Sequence, residues 1–281
     1  MSVKISFANL KGGTGKTKNS TMVSYMLAKK GFRTLLVDMD PQGNATSLLL
    51  KTKDLISEEV VAFDKTLMSA IADDDLESIV TEISDNLYLL PSYADFTSYP
   101  RYLEELYPSN HYERVAHFSG LLESIENDFD LVIFDVPPTI SVYLESALMA
   151  SDFAVIVMQT QEWSFEGAKT FKIYLDELSE AYDHKLDLLG VLPVLLKNHA
   201  TVDHEVLEVA TESFGEENMF QTVVKHMERL KRYDMSGIQD PDNEKIRTDV
   251  HDKRAIEQYE LVSNELVKRL TDREVELNES R

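Results

Sequence analysis

Six short apolar runs are distributed along the chain and predict β-strands. Each run is rich in β-branched or aromatic side chains and has almost no charged residue within it. An uninterrupted apolar run of this kind is typical of a strand that is buried on both faces of a sheet. The predicted strands are Lys4–Asn9, Thr34–Val37, Leu87–Leu90, Leu131–Phe134, Phe153–Met158 and Leu188–Val194.

Helical periodicity fills the intervals between these runs. Apolar residues recur at helical spacing after the first strand, and Gly31 stands where a C-terminal cap belongs. Longer helices are predicted over Gly167–Ala181 and Asp252–Leu270, and the loosest segments over Lys51–Asp75 and Ser236–Glu244. Because strands and helices alternate, we expect an α/β fold with a doubly wound, mostly parallel sheet flanked by helices. The absence of internal repeats and of a glycine–proline linker predicts one domain over residues 1–281.

The amino-acid composition excludes several classes of protein. The 281 residues include 50 acidic and 28 basic side chains, for a formal net charge of -22, and no cysteine. The sequence therefore excludes disulfides and thiolate metal sites, and it fits a reducing compartment. Apolar runs stay well below the roughly 18 residues that span a bilayer, and the N-terminus does not resemble a signal peptide. We expect an intracellular protein in which any binding to nucleic acid depends on a local basic patch.

A glycine-rich loop follows the first predicted strand. It runs from Lys11 to Thr17 and leads directly into a predicted helix. Gly12, Gly13 and Gly15 would let backbone N–H groups approach a phosphate closely, and the helix N-terminus adds partial positive charge. In such a loop Lys16 contacts the β- and γ-phosphates and the Thr17 hydroxyl ligates Mg²⁺.

Carboxylates follow two of the other predicted strands. Leu131–Phe134 ends on Asp135, an arrangement that suits the metal-holding acid of a phosphate-loop site. Asp38 and Asp40 follow the strand after the loop, and at i and i+2 on an extended segment they point the same way. Ligands bind at this edge of open α/β sheets, so a segment that senses the γ-phosphate is favoured over a plain Asp-Pro turn.

The order KGGTGKT, DMDPQGNAT and FDVPPT resembles the deviant Walker-A ATPases of the ParA/MinD class. Within that class the chain is similar to ParA-type partition ATPases from Met1 to about Leu270. The resemblance implies a fold of the P-loop NTPase type, with ATP and Mg²⁺ as cofactors and a sandwich homodimer in the ATP state. It further implies a slow, switch-like ATPase that binds DNA nonspecifically and works with a ParB-like centromere-binding protein. Its location would be cytoplasmic and nucleoid-associated.

The resemblance also implies roles for individual residues. Lys11 would reach the nucleotide of the other subunit, and Asp40 would position or activate the attacking water. Asp38 and Asp135 would organise the Mg²⁺ shell together with Thr17. The predicted nucleotide-binding residues are Lys11, Gly12, Gly13, Thr14, Gly15, Lys16, Thr17 and Lys18. Lys18 departs from the family, which usually has Thr or Ser there near the α-phosphate, although a lysine can reach phosphate too.

Basic residues concentrate in one part of this acidic chain. Eight of them fall within about thirty residues, which is the pattern expected of phosphate contacts with DNA, although a charge run is more commonly a solvated face. The candidate DNA-binding residues are Lys225, Arg229, Lys231, Arg232, Lys245, Arg247, Lys253 and Arg254. No helix-turn-helix domain precedes the first strand, so a separate N-terminal DNA-binding domain is not expected.

Two alternative functions remain open. A MinD-like positioning ATPase would act on membrane or another cargo, but the C-terminal residues 271–281 are more acidic than basic and would be repelled by anionic lipid. A metabolic synthetase would use the same loop to phosphorylate a small acid. Lys11 argues against the synthetase, because a lysine that acts in trans is useful only in a sandwich dimer. We therefore expect DNA partition, with a plasmid favoured as the cargo and no membrane partner.

Overall fold

The computed structural model describes residues 2–57, 64–195, 201–275 and 277. Strands and helices alternate along most of this length. The strands are β1 Val3–Ala8, β2 Thr34–Asp38, β3 Thr81–Ser84, β4 Leu87–Leu90, β5 Leu131–Asp135, β6 Phe153–Gln159 and β7 Asp187–Val194. The helices are α1 Lys16–Lys29, α2 Asn44–Ile56, α3 Leu67–Ala72, α4 Tyr99–Leu106, α5 His111–Leu122, α6 Val142–Met149, α7 Glu162–Tyr182, α8 Thr201–Phe214, α9 Glu228–Ser236 and α10 Val250–Thr271.

The described strands form one seven-stranded sheet with the order β3-β4-β2-β5-β1-β6-β7. All neighbours pair in parallel except β3, which runs antiparallel to β4 at one edge. The strand order reverses around β1, which lies between β5 and β6. In an open α/β sheet a ligand binds outside the carboxyl ends of the strands at such a reversal.

Both faces of the sheet are covered, which explains the uninterrupted apolar runs. Successive residues of β5 enter opposite cores: Leu131 and Ile133 pack on one side, and Val132 and Phe134 on the other. Helices α1, α2, α9 and α10 cover the first side. Helices α3 to α7 cover the second. The expected fold class, an α/β doubly wound sheet flanked by helices, is confirmed.

The predicted strand boundaries agree with the structure to within one residue at each end. The helix predicted over Gly167–Ala181 is longer and begins at Glu162, and the last helix extends to Val250 and Thr271. Gly31 adopts a φ of 94° just after α1, as a C-terminal glycine cap requires. Strand β3 was not predicted, because its sequence TEIS has one apolar residue and therefore no apolar run.

The expectation of a loose segment over Lys51–Asp75 is wrong at both ends. Helix α2 continues to Ile56, and α3 occupies Leu67–Ala72 with buried side chains. The middle of that segment, residues 58–63, lies outside the described residues. Most of the Ser236–Glu244 segment has no regular structure, as predicted, but it is anchored by the buried side chains of Ile238 and Asp240.

Candidate nucleotide-binding site

The glycine-rich loop joins β1 to α1 at the carboxyl edge of the sheet. Gly13 and Gly15 have φ angles of 76° and 90°, a region that side-chain-bearing residues seldom adopt. Gly15 is the N-cap of α1, and it provides no side chain to satisfy the N–H groups of the first turn. A helix that starts in this way is an anion-binding site, because its N–H groups and its dipole both favour negative charge.

A cavity of about 730 Å³ opens over this loop. That volume lies within the usual range for small-molecule and cofactor sites. Its lining includes residues 12–19 of the loop and α1, together with Asp40 after β2 and Gln159 of β6. The opposite wall comes from the C-terminal part of the chain, in particular Leu230, Asp234 and Tyr259. The predicted phosphate-loop residues 12–18 therefore all border one cavity, together with Asp40.

Lys16 is buried at the base of the cavity. Its side-chain ammonium donates a hydrogen bond to the backbone carbonyl of Lys11, with an Nζ–O distance of 3.1 Å. Burial lowers the pKa of Lys16 to about 8, while the nearby carboxylates of Asp135 and Asp40 oppose that shift. A phosphate group next to Lys16 would compensate its charge more fully than the carbonyl does.

Two carboxylates lie side by side beneath the loop. Asp38 and Asp135 occupy facing register positions at the ends of β2 and β5, and both are fully buried. Burial raises the pKa of each carboxyl, and the charge of Asp38 raises that of Asp135 further. Two buried acids at one sheet edge carry a desolvation cost when they are charged, so the pair is a candidate functional site.

The two acids differ in the hydrogen bonds that they accept. Asp135 Oδ1 accepts from the Ser20 hydroxyl at 3.1 Å, whereas its buried Oδ2 has no hydrogen-bond partner among the described residues. The Thr17 hydroxyl is near enough to lower the pKa of Asp135. A carboxylate oxygen without a donor, beside a hydroxyl and a phosphate loop, fits Mg²⁺.

In Asp38, in contrast, both carboxylate oxygens accept hydrogen bonds from nearby residues. Oδ2 accepts from the backbone N–H and the hydroxyl of Thr46, both at 2.8 Å, and Oδ1 accepts from the N–H of Asp40 at 3.2 Å. Asp38 thus shapes the segment that carries Asp40. Thr46 lies within the quoted DMDPQGNAT motif, but sequence reasoning gave it no role. A motif does not indicate which carboxylate will accept a hydrogen bond from a given hydroxyl.

Lys11 differs from Lys16 in its position. Its backbone N–H is fixed by Asn9 Oδ1 at 3.0 Å, but its side chain does not line the cavity. Gly167 of α7 lies so close that an added Cβ would be 3.7 Å from Lys11 Cβ and 3.2 Å from Asn9 Oδ1. The loop therefore packs on α7, and Lys11 is not among the residues that line its own cavity.

The eight candidate DNA-binding residues do not form one surface. Lys225, Arg232 and Arg254 are exposed and line a groove of about 920 Å³ between α9 and α10. Arg229 also borders this groove, but it is only 11% exposed and is ion-paired with Asp249 and Asp252.

The remaining bases are exposed but lie outside that groove. Lys231 pairs with Glu228 at 3.0 Å and borders the nucleotide cavity instead, and Lys253 is 3.8 Å from Glu257. Lys245 and Arg247 lie before α10. Sequence reasoning did not include His226 and His251, which line the groove.

Lys18 reaches the same cavity as the loop, where it is ion-paired with Asp234 of α9. Asn19 connects the loop to α10: its Nδ2 donates to the Gly15 carbonyl at 2.8 Å, and its Oδ1 accepts from the Tyr259 hydroxyl at 3.1 Å. The Lys18–Asp234 and Asn19–Tyr259 contacts join residues more than 200 positions apart in the chain. Periodicity and motif spacing carry no signal for such pairs.

Comparisons with known proteins identify the family of the chain. A family model described as an AAA domain matches residues 2–188. The chain is 30% identical to the chromosome-partitioning ATPase Soj of Thermus thermophilus over 81% of its own length and 82% of that protein. Within the described residues, no helix has the length and apolar character needed to cross a membrane.

Solved structures share the fold. A plasmid partition protein from Borrelia burgdorferi, bound to AMPPNP, has a TM-score of 0.72 at 21% identity and covers 96% of this chain and 100% of that one. A cobyrinic acid a,c-diamide synthase from Mycobacterium smegmatis, with bound ADP and magnesium, has a TM-score of 0.65 at 24% identity and covers 76% and 83%. Since a synthase shares the fold, the fold alone does not separate partition from metabolic chemistry.

Proposed function

The chain belongs to the ParA-type partition ATPases, and on that premise we propose that it is a Mg²⁺-ATP-switched dimer that segregates DNA. The observation that carries the proposal is the meeting of three segments at one sheet edge. The glycine-rich loop and Asp40 line one cavity, and the buried acids Asp38 and Asp135 lie next to each other at the ends of neighbouring strands. A plasmid is the favoured cargo, in line with the Borrelia structure, whereas the Thermus relative is named for chromosomes.

Each residue of the site has a part in the proposed reaction. The loop N–H groups and Lys16 hold the phosphates, and Asp40, at the cavity wall, orients the water that attacks the γ-phosphate. Thr17 and Asp135 would hold Mg²⁺, with Asp38 fixing the segment beside them. The metal ion neutralises the developing charge on the phosphate oxygens when it is bound.

Lys11 is proposed to act on the other subunit. Its side chain lies outside its own cavity, next to a loop face where α7 begins, so a facing copy of the chain is the natural target of its charge. Dimerisation then depends on nucleotide, because the phosphates of the partner supply the anion that Lys11 binds. Hydrolysis removes that anion and releases the dimer, which makes the enzyme a slow, switch-like timer.

DNA binding is proposed for the groove between α9 and α10. Lys225, Arg232 and Arg254 present their charges there, and dimerisation would place two such grooves on one assembly. Doubling the phosphate contacts makes nonspecific DNA binding depend on ATP. We leave Arg229 out of this set, because its two acid partners already hold it.

The wider setting follows from the same proposal. A ParB-like centromere-binding protein would stimulate hydrolysis, and the protein would be cytoplasmic and nucleoid-associated. We also propose that residues 1–281 form one ATPase domain, since β1 and α1 from the start of the chain pack in the same core as α10 from its end.

The test separates nucleotide binding, dimerisation and hydrolysis. Asp40→Ala should bind ATP and accumulate as a dimer while phosphate release stops, because Asp40 acts on the water. Lys11→Ala should lose both the dimer and hydrolysis. Light scattering and phosphate release with Mg-ATP provide the measurements. A Lys11→Ala protein that dimerises on ATP like the wild type would refute the trans role.

Two outcomes would favour the alternative functions. A monomer that hydrolyses ATP only with a small acid would support a synthetase. A wild-type dimer that retains no DNA at low salt would support a positioning ATPase with another cargo.

A further inference from the structure

A lysine and an aspartate form an ion pair in the lining of the nucleotide cavity. Lys18 is the third residue of α1, and its side chain is only 14% exposed. Its ammonium is ion-paired with the carboxylate of Asp234, which lies on α9 and is 59% exposed. Both residues line the cavity that the glycine-rich loop defines.

The two residues differ in how strongly the charge of each depends on the other residue for stabilisation. Burial lowers the pKa of Lys18, and the contact with Asp234 opposes that shift, so the carboxylate helps to keep the ammonium charged. Lys51 lies near enough to lower the pKa of Lys18 as well. A largely buried ammonium requires an anionic partner, whereas a carboxylate that is more than half exposed returns to water at little cost.

Asp234 also ties α9 to the helices below it. The Lys51 ammonium of α2 donates to the Asp234 backbone carbonyl at 2.6 Å. Leu230 and Tyr233 are the buried residues of α9, and they fill the core beneath it. Lys18 thus links α9 to the first turn of α1, close to where the loop would hold phosphates.

We propose that Lys18 is an exchange switch, which releases Asp234 and binds a phosphate of the nucleotide, so that nucleotide binding loosens α9. The inference rests on the proposed function, in which this cavity binds ATP. A phosphate at the start of α1 would bring a second anion beside Asp234, and two anions at that range repel. The more highly charged phosphate competes with the carboxylate for the Lys18 ammonium, and Asp234, which is more than half exposed, moves into water.

The exchange would couple nucleotide binding to the groove between α9 and α10. Arg232, two residues before Asp234 on α9, lines the groove between α9 and α10. A looser α9 therefore changes the groove that we propose for DNA. A threonine or serine in place of Lys18 could contact phosphate but could not form an ion pair with Asp234. The proposed exchange therefore requires the lysine that this chain has at position 18.

A double-mutant cycle on nucleotide affinity tests the exchange. The dissociation constant of Mg-AMPPNP is measured by calorimetry for the wild type, Asp234→Asn, Lys18→Thr and the double variant. Asp234→Asn should tighten binding about five-fold, because the competitor for Lys18 is gone. In the Lys18→Thr background the same change should have no effect, since no ammonium is left to be freed.

A matched control comes from the other end of α1. Lys29 pairs with Asp242 at 2.8 Å and with Asp240 at 2.6 Å, outside the cavity lining, so Asp242→Asn removes one carboxylate charge beside a lysine of α1 that keeps a second partner. Its affinity for AMPPNP should equal that of the wild type. Hydrogen exchange of the amides in residues 230–236 gives a second readout. AMPPNP should speed exchange in the wild type, whereas in Asp234→Asn exchange should be fast with or without nucleotide.

The results that would overturn the proposal are distinct from those that would overturn ATP binding. Equal tightening by Asp234→Asn in both backgrounds would show general electrostatics and no exchange, and no tightening would show no competition. Unchanged exchange of α9 in the wild type would refute the loosening. If the wild type does not bind AMPPNP, or if Lys16→Ala binds it equally well, the proposed function itself fails and the exchange fails with it.

Discussion

Thr46 offers the sharpest test of how the site is held together. Its hydroxyl donates to Asp38 Oδ2 at 2.8 Å and accepts from the backbone N–H of Ser92 at 2.8 Å. All three residues are buried, so water cannot replace either bond. Thr46→Val keeps the shape of the side chain and removes both bonds at once.

The expected cost follows from these two hydrogen bonds. A hydrogen bond to a carboxylate contributes about 1.5–3 kcal/mol, and a buried N–H that is left without an acceptor costs about 1–3 kcal/mol. We therefore expect Thr46→Val to lower the free energy of unfolding by about 4 kcal/mol, near the middle of the combined range. For a chain of this length, that loss corresponds to a fall in Tm of about 7 °C.

The assay is urea unfolding followed by circular dichroism, since the single tryptophan, Trp163, is 74% exposed and reports poorly on the core. Thr46→Ser is the matched control: it keeps the hydroxyl, loses only a methyl group, and should cost about 1 kcal/mol. ATP hydrolysis should fall in Thr46→Val and survive in Thr46→Ser, because Asp38 would lose its anchor in the first variant alone. If the two variants unfold at the same urea concentration, the hydroxyl does not hold Asp38 and the reasoning fails.

Other perturbations test the loop, the groove and the backbone. Lys16→Ala should abolish nucleotide-dependent dimerisation in light scattering, and normal ATP affinity in that variant would contradict the phosphate-loop assignment. Arg232→Glu combined with Arg254→Glu should weaken DNA retention for all sequences and flatten the log–log salt slope by about 0.9 for each DNA phosphate that is no longer neutralised; an unchanged slope would place DNA elsewhere. Gly237→Ala should destabilise the fold by about 2–4 kcal/mol, because Gly237 has a φ of 77° and an added Cβ would lie 2.7 Å from backbone atoms of α2. Gly120→Ala, in α5 with no atom within 4 Å of the added Cβ, should instead stabilise it by about 0.5–1 kcal/mol, and equal effects in urea unfolding would refute the steric argument.

The amino-acid sequence alone determined the layered fold and the phosphate loop. Strands buried on both faces have continuous apolar runs, so β2 and β5 could be located without tertiary information. The loop could be assigned because its chemistry is local: glycines, a lysine and a hydroxyl within seven consecutive residues. Asp135 could be assigned because parallel strands bring their carboxyl ends to one edge.

The tertiary structure determined which charged side chains form ion pairs. The partners of Lys18 and Arg229 come from other elements of the fold, and no period or motif encodes such pairs. The basic run around α9 looked uniform in sequence, yet packing against α10 buried Arg229 and left Arg232 exposed. Whether an ion pair forms depends on the distance between side chains after folding, and long-range contacts set that distance.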